Sequence, residues 1–334
     1  IEGNIPSVER VPTGLTTLDI AFGDDTNFGM PIRCVTELYA REEAGKSTLA
    51  YYLAGRVAPK GIIALIDLEG GARAEYVTSV VNASGFEGKL RYVDFKDPNG
   101  DRRTHEKMLK LGADMLLEEN VRSVILDSVA MVQPVMEAEG DIEESFMGRR
   151  AQVLAKWTRR CVSHLNYVDE PKVVFAINHM LSNMKYENAI VTPGGDTLKY
   201  GSTMLARMWR EETFDDGTFE AMVRVDKQRW GGRAKRVGRV IIQPGIGVST
   251  LLTAAFDAME LGYARRKTSV QVLTAPDADP AKESNWENVM KLSGLLEAGR
   301  RGETEVFNPF TERLAWRNSG TTSTKRKTER KSHQ

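Results

Sequence analysis

The sequence predicts an α/β fold with a mostly parallel, twisted β-sheet, an antiparallel extension of that sheet and helices on both faces. Short apolar runs recur through the first half of the chain and end in polar residues. Segments with helical spacing of their apolar residues separate these runs. Further along, alternating runs follow one another without intervening helices, which favours antiparallel strands. Continuous apolar runs, in contrast, are typical of parallel strands buried on both faces.

The first predicted elements surround a loop that contains glycine. Residues 13–22 carry apolar side chains at helical spacing, and we expect Thr13 or a neighbouring threonine to cap that helix. The alternating run over 35–40 predicts a strand, and residues 49–54 predict a helix. An almost unbroken apolar run over 61–69 predicts a strand that is buried on both faces and ends in acidic residues.

The alternation of strands and helices continues along the chain. Apolar runs predict further strands over 90–95, 121–128 and 172–179. Amphipathic spacing predicts helices over 104–120, 147–168 and 250–261, and a helical piece near 285–298. The antiparallel extension is predicted from β-like runs over 220–225 and 237–243.

Composition and charge limit the classes of function. The chain has 334 residues, 41% of them hydrophobic, which is enough for a large buried core. The formal net charge is zero, so any nucleic-acid site must come from local clusters of basic residues. Cys34 and Cys161 lie beside apolar runs, and we expect buried free thiols in a reducing compartment. Because the sequence has neither an apolar run of about eighteen residues nor a signal peptide, we expect a cytoplasmic protein with no membrane partner.

Residues 40–48 match the phosphate-loop pattern, although glycine is commoner than Ala40 at its first position. A predicted strand before this segment and a predicted helix after it favour phosphate binding over a turn that contains Gly-Lys-Ser by chance. Backbone N–H groups from Glu43 to Ser47 and the helix N-terminus would face an anion. Lys46 supplies a positive charge for the β- and γ-phosphates, and Ser47 offers a hydroxyl to Mg²⁺.

Acidic residues at strand ends are candidates for metal binding and catalysis. Asp127 ends a buried apolar run, where an acid would hold the water shell of Mg²⁺, although an acid at a strand end is more often a solvated turn residue. Glu69 ends a neighbouring strand and could activate water for attack on the γ-phosphate. Asp67 lies on the same face of that strand, so the spacing does not decide between the two carboxylates.

Other polar side chains also follow predicted strands. Ser128, Asn178 and His179 come at the ends of strands, and ligands of doubly wound folds bind beyond such ends. Lys227 and Arg229 belong to a basic cluster between two predicted antiparallel strands. They are either cationic fingers for a phosphate or ordinary charges of an edge hairpin, and the residues alone leave both interpretations open.

Eight segments between Pro12 and Gly262 carry a resemblance to a known family. They are residues 13–23, 36–49, 66–69, 124–130, 137–148, 175–179, 194–200 and 225–229. In their order and register they resemble the RecA family of DNA strand-exchange recombinases, which includes bacterial RecA and the phage UvsX-type proteins. The resemblance implies a P-loop NTPase fold with a RecA-type core.

This resemblance implies ATP and Mg²⁺ as cofactors and assigns roles to the candidate residues. Lys46 and Ser47 would bind phosphate and Mg²⁺, and Asp127 would support the metal. Glu69 matches the catalytic glutamate of the family, and Tyr76 matches the aromatic residue that stacks on adenine. The expected nucleotide-binding residues are Arg41, Glu42, Glu43, Ala44, Gly45, Lys46, Ser47, Thr48, Tyr76, Asp127 and Ser128.

The resemblance also implies communication between nucleotide and DNA. His179 matches a residue that senses the γ-phosphate and passes its state to a DNA-binding loop. Lys227 and Arg229 match a cation pair that reaches the ATP of a neighbouring subunit. With Glu69 and Lys46, these three residues are the expected catalytic set.

Two DNA-binding loops are implied at 139–148 and 180–195. Met147 and Met184 fall where the family wedges apolar side chains between groups of bases. The other expected DNA-binding residues are Gly148, Arg149, Arg150, Arg159, Lys185, Gly194 and Gly195.

The expected organisation has four parts. Residues 1–12 form an extended arm, 13–262 the ATPase core, 263–317 a small C-terminal region, and 318–334 a basic disordered tail. Few residues precede the core, so the N-terminal docking segment of the family is expected to be truncated or replaced by another mode of assembly.

The expected function is that of an ATP-dependent recombinase in a bacterial or phage-infected cell. The protein would form a helical filament on single-stranded DNA, hydrolyse ATP to ADP and phosphate, and pair that strand with homologous double-stranded DNA during recombination and repair. One alternative is another RecA-core DNA-dependent ATPase, such as a helicase or a repair accessory motor. The other is a non-catalytic, ATP-gated DNA-binding filament.

Overall fold

The computed structural model describes residues 8–140, 148–182, 190–193, 195–232, 234–301, 303 and 308–318. The strands in chain order are β1 (Arg10–Val11), β2 (Met30–Pro31), β3 (Cys34–Ala40), β4 (Ile62–Asp67), β5 (Lys89–Tyr92), β6 (Val121–Asp127), β7 (Val173–His179), β8 (Leu181–Ser182), β9 (Ile190–Val191), β10 (Met204–Thr213), β11 (Phe219–Gln228), β12 (Val237–Gln243), β13 (Gly247–Val248), β14 (Ala264–Arg266), β15 (Val270–Leu273) and β16 (Trp286–Met290).

The helices in chain order are α1 (Thr16–Phe22), α2 (Lys46–Val57), α3 (Ala74–Ala83), α4 (His105–Met115), α5 (Val135–Glu139), α6 (Arg149–Tyr167), α7 (Gly195–Gly201), α8 (Thr250–Glu260), α9 (Leu292–Arg301) and α10 (Asn308–Asn318). Two short 3₁₀ helices cover Val129–Met131 and Glu283–Asn285. The chain divides into two compact units, Ile1–Val248 and Ser249–Gln334.

One large sheet organises the first unit. Within the described residues nine strands pair in the order β13-β12-β11-β10-β3-β7-β6-β4-β5. The pairs from β10 through β3, β7, β6 and β4 to β5 are parallel, and the pairs from β10 through β11 and β12 to β13 are antiparallel. This arrangement confirms the predicted mostly parallel sheet with an antiparallel extension.

Two apolar layers cover the faces of this sheet. On β3, Leu38 joins the layer that contains residues of α1, α2 and α3, whereas Val35 joins the layer that contains residues of α4 and α6. On β7, Phe175 belongs to the first layer and Val174 to the second. Successive side chains of a strand point to opposite faces, so strands covered on both sides must be apolar at nearly every position. The predicted helices on both faces are therefore present.

The start of α1 differs from the prediction. Leu15 occupies the N-cap position and makes no side-chain capping hydrogen bond, so the expectation of a threonine cap was wrong. Asp19 instead accepts hydrogen bonds from the backbone N–H groups of Thr13 at 2.6 Å and Gly14 at 3.3 Å. An acid inside the helix thus stabilises the entering chain, a contact that helix-boundary patterns do not contain.

The second unit has a small sheet of its own. In its described part β14, β15 and β16 pair antiparallel. The helical piece expected near 285–298 is only partly present, because Trp286–Met290 pairs with β15 as a strand and α9 begins at Leu292. Helix α8, which the expected organisation includes in residues 13–262, packs within this unit against α9, α10 and β14. Strand pairing and helix packing here override local propensity.

Both cysteines, Cys34 and Cys161, are buried and free, as expected. Among the residues that the structure describes, no helix combines the length and apolar character needed to cross a membrane.

Candidate functional site

The carboxyl ends of four parallel strands meet at one edge of the large sheet. Ala40 at the end of β3 lies opposite His179 at the end of β7, and Asp67 at the end of β4 lies opposite Asp127 at the end of β6. Strand β6 pairs directly with β7, so the four ends are contiguous. This register brings the polar residues at these strand ends to one side of the sheet, where ligands of α/β folds bind.

The loop between β3 and α2 has the backbone of an anion-binding loop. Gly45 has a φ of 83°, and Glu43 also has a positive φ, of 56°. A Cβ atom on Gly45 would lie 2.4 Å from Cδ1 of Ile242, so both conformation and space favour glycine. Helix α2 begins directly afterwards at Lys46, and its N-terminal N–H groups carry the positive end of the helix dipole.

The Lys46 side chain is already held over this loop. Its Nζ donates a hydrogen bond to the carbonyl oxygen of Arg41 at 2.9 Å, and the residue is only 7% exposed. Burial lowers the pKa of Lys46, while the charges of Asp127, Glu69 and Glu42 act in the opposite direction. The ammonium group and the positive end of the helix dipole thus supply the positive charge that an anion needs, beside three carboxylates that a cation would offset.

A cavity of about 380 Å³ opens at this edge of the sheet. Its lining residues are Glu42, Glu43, Gly45, Lys46, Ser47, Thr48, Glu69, Asp127 and His179. Two further candidates contact the lining: Tyr76 shares a hydrogen bond of 2.7 Å with Thr48, and Ser128 donates one to Glu69. Arg41 and Ala44 line a neighbouring cavity of about 540 Å³ together with Arg207, Trp209 and Arg210.

Asp127 and Ser47 form the oxygen pair expected at a magnesium site. Burial raises the pKa of Asp127 to about 6, helped by the charge of Glu69 and opposed by hydrogen bonds from Ser47 and Tyr51. The Tyr51 hydroxyl lies 3.1 Å from Asp127 Oδ2. Mg²⁺ bound with a nucleotide takes one or two protein ligands, and phosphate oxygens and waters complete the shell. The pair fits this requirement, and within the described chain no group of three metal-binding side chains offers an alternative.

The structure separates the two carboxylates between which strand spacing alone does not decide. Asp67 Oδ1 accepts hydrogen bonds from the backbone N–H groups of Glu69 at 3.1 Å and Gly70 at 2.9 Å, and Oδ2 accepts one from Ala72 at 2.9 Å. Asp67 is 2% exposed and shapes the turn after β4. Glu69, within that turn, lines the cavity.

Glu69 contacts His179 across the cavity. His179 Nε2 lies 2.9 Å from Glu69 Oε1, and the Ser128 hydroxyl donates to the same oxygen. Burial on its own would raise the pKa of Glu69, but the hydrogen bonds from Ser128 and His179 and the charges of His179 and Lys46 outweigh it and lower the pKa. Glu69 is therefore ionised at neutral pH, as a proton acceptor must be.

Lys227 and Arg229 lie away from this cavity in the single chain. Lys227 Nζ donates to the carbonyl oxygens of Lys199 at 2.7 Å, Tyr200 at 3.2 Å and Ser202 at 2.8 Å, and Arg229 donates to Tyr200. Burial and the charge of Arg229 lower the pKa of Lys227 to about 8. Both cations thus bind the carbonyl groups at the C-terminal end of α7, where the helix dipole favours positive charge.

The described candidates for DNA contact lie mainly on α6. Gly148 precedes the helix with a φ of 82° and Arg149 is its first residue. The Arg150 guanidinium is 3.6 Å from Glu137, and Arg159 is exposed further along.

Only part of each expected DNA loop can be placed. Gly195 is the first residue of α7. The candidates Met147, Met184, Lys185 and Gly194 lie outside the described residues, so their assignment stays a prediction.

The sequence patterns considered above do not single out Glu37. This residue lies inside β3 at 2% exposure, and its Oε1 accepts a hydrogen bond of 2.7 Å from Nδ2 of Asn178. From the sequence, Asn178 is only a polar residue at the end of a predicted strand. An acid inside the predicted strand 35–40 was the available signal, because burying a carboxylate without a partner is costly.

A parallel sheet, a glycine-containing loop between a strand and a helix, and acids at the adjacent strand ends define a P-loop α/β protein. The family model described as the RecA N-terminal domain matches residues 2–229, which is more than half of the chain. The chain therefore belongs to the RecA family.

Individual relatives agree with this assignment. The RecA protein of Kineococcus radiotolerans is 29% identical over 215 residues, which cover 64% of this chain but only 58% of that protein. The RecA protein of Frankia casuarinae is 28% identical over 318 residues, 88% of this chain and 87% of that protein. The crystal structure of the RadB recombinase aligns with a TM-score of 0.51 at 17% identity, covering 71% of this chain and 98% of that one, and thus shares the fold.

Replacing Asp67 with alanine tests the architecture of the turn without reference to any activity. The Asp67→Ala variant leaves three backbone N–H groups without their acceptor, so we expect a loss of about 1–3 kcal/mol in the free energy of unfolding. Amide exchange at Gly70 and Ala72 should also become faster. Asp97→Ala, at an exposed turn that uses the same kind of side-chain acceptor, is the control and should cost less. Unchanged exchange at Gly70 and Ala72 would contradict this account of the turn.

Proposed function

We propose that this protein is an ATP-dependent homologous recombinase that forms a helical filament on single-stranded DNA and exchanges that strand with a homologous duplex. Membership of the RecA family supports the general class of recombinase. One observation supports the more specific function, namely the contact between Glu69 Oε1 and His179 Nε2 at 2.9 Å. It joins a carboxylate in the candidate nucleotide cavity to the last residue of β7, directly before the segment 180–195 that we propose as a DNA-binding loop.

The nucleotide would bind with its triphosphate in the cavity at the N-terminus of α2. Backbone N–H groups of the loop before α2 and the ammonium of Lys46 would contact the phosphates, and Tyr76 would lie beside the base. Mg²⁺, held by Ser47 and Asp127, would neutralise charge on the β- and γ-phosphates. Lys46 would then exchange its bond to the Arg41 carbonyl for one to phosphate.

Hydrolysis would depend on Glu69. Its lowered pKa keeps the carboxylate ionised, so it can orient a water molecule and accept its proton. The hydrogen bond from Ser128 holds the side chain in place. His179 shares the same oxygen, and a γ-phosphate in the cavity would compete for the imidazole. Loss of that phosphate would restore the contact with Glu69, and the segment after β7 would follow.

Lys227 and Arg229 would act on the ATP of a neighbouring protomer. Among the described residues they line a different part of the surface from the cavity, which supports a role between chains rather than within one. Positive charge supplied from a second protein chain is a known way to stabilise phosphoryl transfer. To reach a phosphate, both side chains would leave the carbonyl groups of α7.

DNA would be held chiefly through its backbone. Arg149, Arg150 and Arg159 of α6 would contact phosphates, and Lys185, Gly194 and Gly195 would add contacts from the second loop. Met147 and Met184 would separate groups of bases, at a cost of a few kcal/mol for each step that is unstacked. Binding should therefore weaken with salt and depend little on sequence, and bases between the wedges stay free to pair.

The first prediction concerns nucleotide-dependent assembly. Lys46→Ala removes the cation that balances the phosphates, so we expect no filaments on single-stranded DNA with a non-hydrolysable ATP analogue. Electron microscopy of wild type and variant makes this comparison. Lys60→Ala, which alters a lysine whose side chain is 85% exposed, is the control and should assemble normally. Normal filaments of Lys46→Ala would count against the proposal.

The second prediction separates binding from turnover. Glu69→Gln keeps the shape of the side chain but removes the proton acceptor, so DNA-stimulated ATP hydrolysis should fall by about 10²-fold or more while filaments persist. Phosphate release and strand-exchange assays measure both properties. Wild-type hydrolysis without strand exchange would favour a helicase or accessory motor, and negligible wild-type hydrolysis would favour a non-catalytic filament.

The third prediction tests action between protomers. Mixing Glu69→Gln with Lys227→Ala in equal amounts places an intact cavity opposite an intact lysine at about a quarter of head-to-tail interfaces, if mixing is random. We expect the mixture to recover roughly that fraction of wild-type hydrolysis, although each variant alone is inactive. Mixing Glu69→Gln with Asp127→Ala is the control, because both changes damage the same half of the site. No recovery in the first mixture would place Lys227 in the same active site as its own Glu69.

A further inference from the structure

Glu37 is an acid in the middle of a buried strand. It lies on β3, three residues before the last residue of that strand, and it is 2% exposed. Among the described residues, Asn178 is its hydrogen-bond partner. Burying an ionisable group is costly, and an apolar residue of similar size would usually be at least as stable. Stability alone therefore does not account for an acid at this position.

Asn178 connects Glu37 with two other segments. Its Nδ2 donates to Glu37 Oε1 at 2.7 Å and to the carbonyl oxygen of Pro193 at 2.8 Å. Its Oδ1 accepts a hydrogen bond from the backbone N–H of His179 at 2.9 Å. Asn178 is fully buried, and these three bonds use both of its N–H groups and its oxygen. The amide therefore has one orientation, and Glu37 is the side-chain acceptor that sets it.

Charged groups of α7 also act on Glu37. Burial raises the pKa of Glu37 to about 7, while the hydrogen bond from Asn178 and the charges of Lys199 and Lys227 oppose that effect. Lys199 belongs to α7, and Lys227 binds the carbonyl groups at the C-terminal end of the same helix. Pro193 lies just before the first residue of α7. Glu37 is thus linked to the start of this helix through Asn178 and to its C-terminal end through the charges of Lys199 and Lys227.

We propose that Glu37 is a positioning residue that, through Asn178, fixes His179 and the entry of α7 relative to each other and thereby couples the nucleotide cavity to the helix that holds Lys227 and Arg229. This inference rests on the proposed function for the roles of His179 and of the two cations. A change in the position of His179 would be transmitted to Pro193 through the buried side-chain amide of Asn178. Helix α7 would then hold Lys227 and Arg229 at its C-terminal carbonyl groups or release them toward a phosphate.

The test compares matched substitutions of Glu37 and Asn178, which we call the relay. Glu37→Met removes the acceptor and keeps most of the volume, whereas Glu37→Gln keeps an oxygen acceptor for Asn178. Asn178→Asp removes the donor, and it provides a second variant if Glu37→Met does not fold. Thr36→Val is the control, because Thr36 is a fully buried polar residue on the same strand.

The first measurement is hydrogen exchange in peptides covering residues 190–201, with and without a non-hydrolysable ATP analogue. We expect the analogue to change exchange there at least threefold in wild type, Thr36→Val and Glu37→Gln, and less than 1.5-fold in Glu37→Met and Asn178→Asp. If Glu37 had only a structural role, its substitution would change the exchange rates with and without nucleotide by the same factor. An equal nucleotide effect in wild type and Glu37→Met, or no effect in wild type, would overturn the inference.

The second measurement is steady-state hydrolysis on single-stranded DNA. We expect Glu37→Met and Asn178→Asp each to lower kcat at least tenfold with the KM for ATP within twofold of wild type, and Glu37→Gln to recover most of the kcat. The double variant should be no worse than either single variant, because the two residues act as one unit. Additive losses would contradict the relay. Absence of DNA-stimulated hydrolysis in the wild type would defeat the proposed function, while the exchange experiment would still decide the inference.

Discussion

The parallel register of β3, β7, β6 and β4 is the constraint on which the candidate site depends. Hydrogen bonding between these strands places Ala40 beside His179 and Asp67 beside Asp127. Because all four strands run in the same direction, their polar ends converge while their apolar bodies are covered by helices on both faces. Charges can be concentrated at this edge because the rest of each strand supplies the apolar burial that stabilises the sheet.

Buried polar residues behind the cavity orient the groups that line it. Asp67 holds the turn that carries Glu69, and Asn178 holds the backbone of His179. Glu69 and His179 then meet at 2.9 Å, so two strands that are not direct neighbours are linked through their side chains. Removing one partner of such a network leaves the other unsatisfied in a medium of low dielectric, so each of these contacts resists replacement.

The antiparallel extension adds a second set of charges. Lys227 lies near the end of β11, and its ammonium group binds the carbonyl groups that end α7. Helix α7 begins shortly after Pro193, whose carbonyl oxygen accepts a hydrogen bond from the Asn178 side chain. One short helix therefore lies between the strand that ends in His179 and the cations of the extension. This connection is a property of the fold, since β7 and β11 are separated in the sheet by β3 and β10.

The sequence by itself determined the α/β class, the phosphate-type loop and the acids at strand ends, because apolar periodicity and local motifs depend on neighbouring residues. Strand spacing left Asp67 and Glu69 open, and the family resemblance favoured Glu69. The local patterns also assigned a threonine cap to α1 and a helix where Trp286–Met290 forms a strand. Only the tertiary structure decided these points and joined Glu37 to Asn178. The physical reason is that hydrogen bonds and packing between residues far apart in the chain, with energies comparable to local propensities, select among conformations that the local sequence permits.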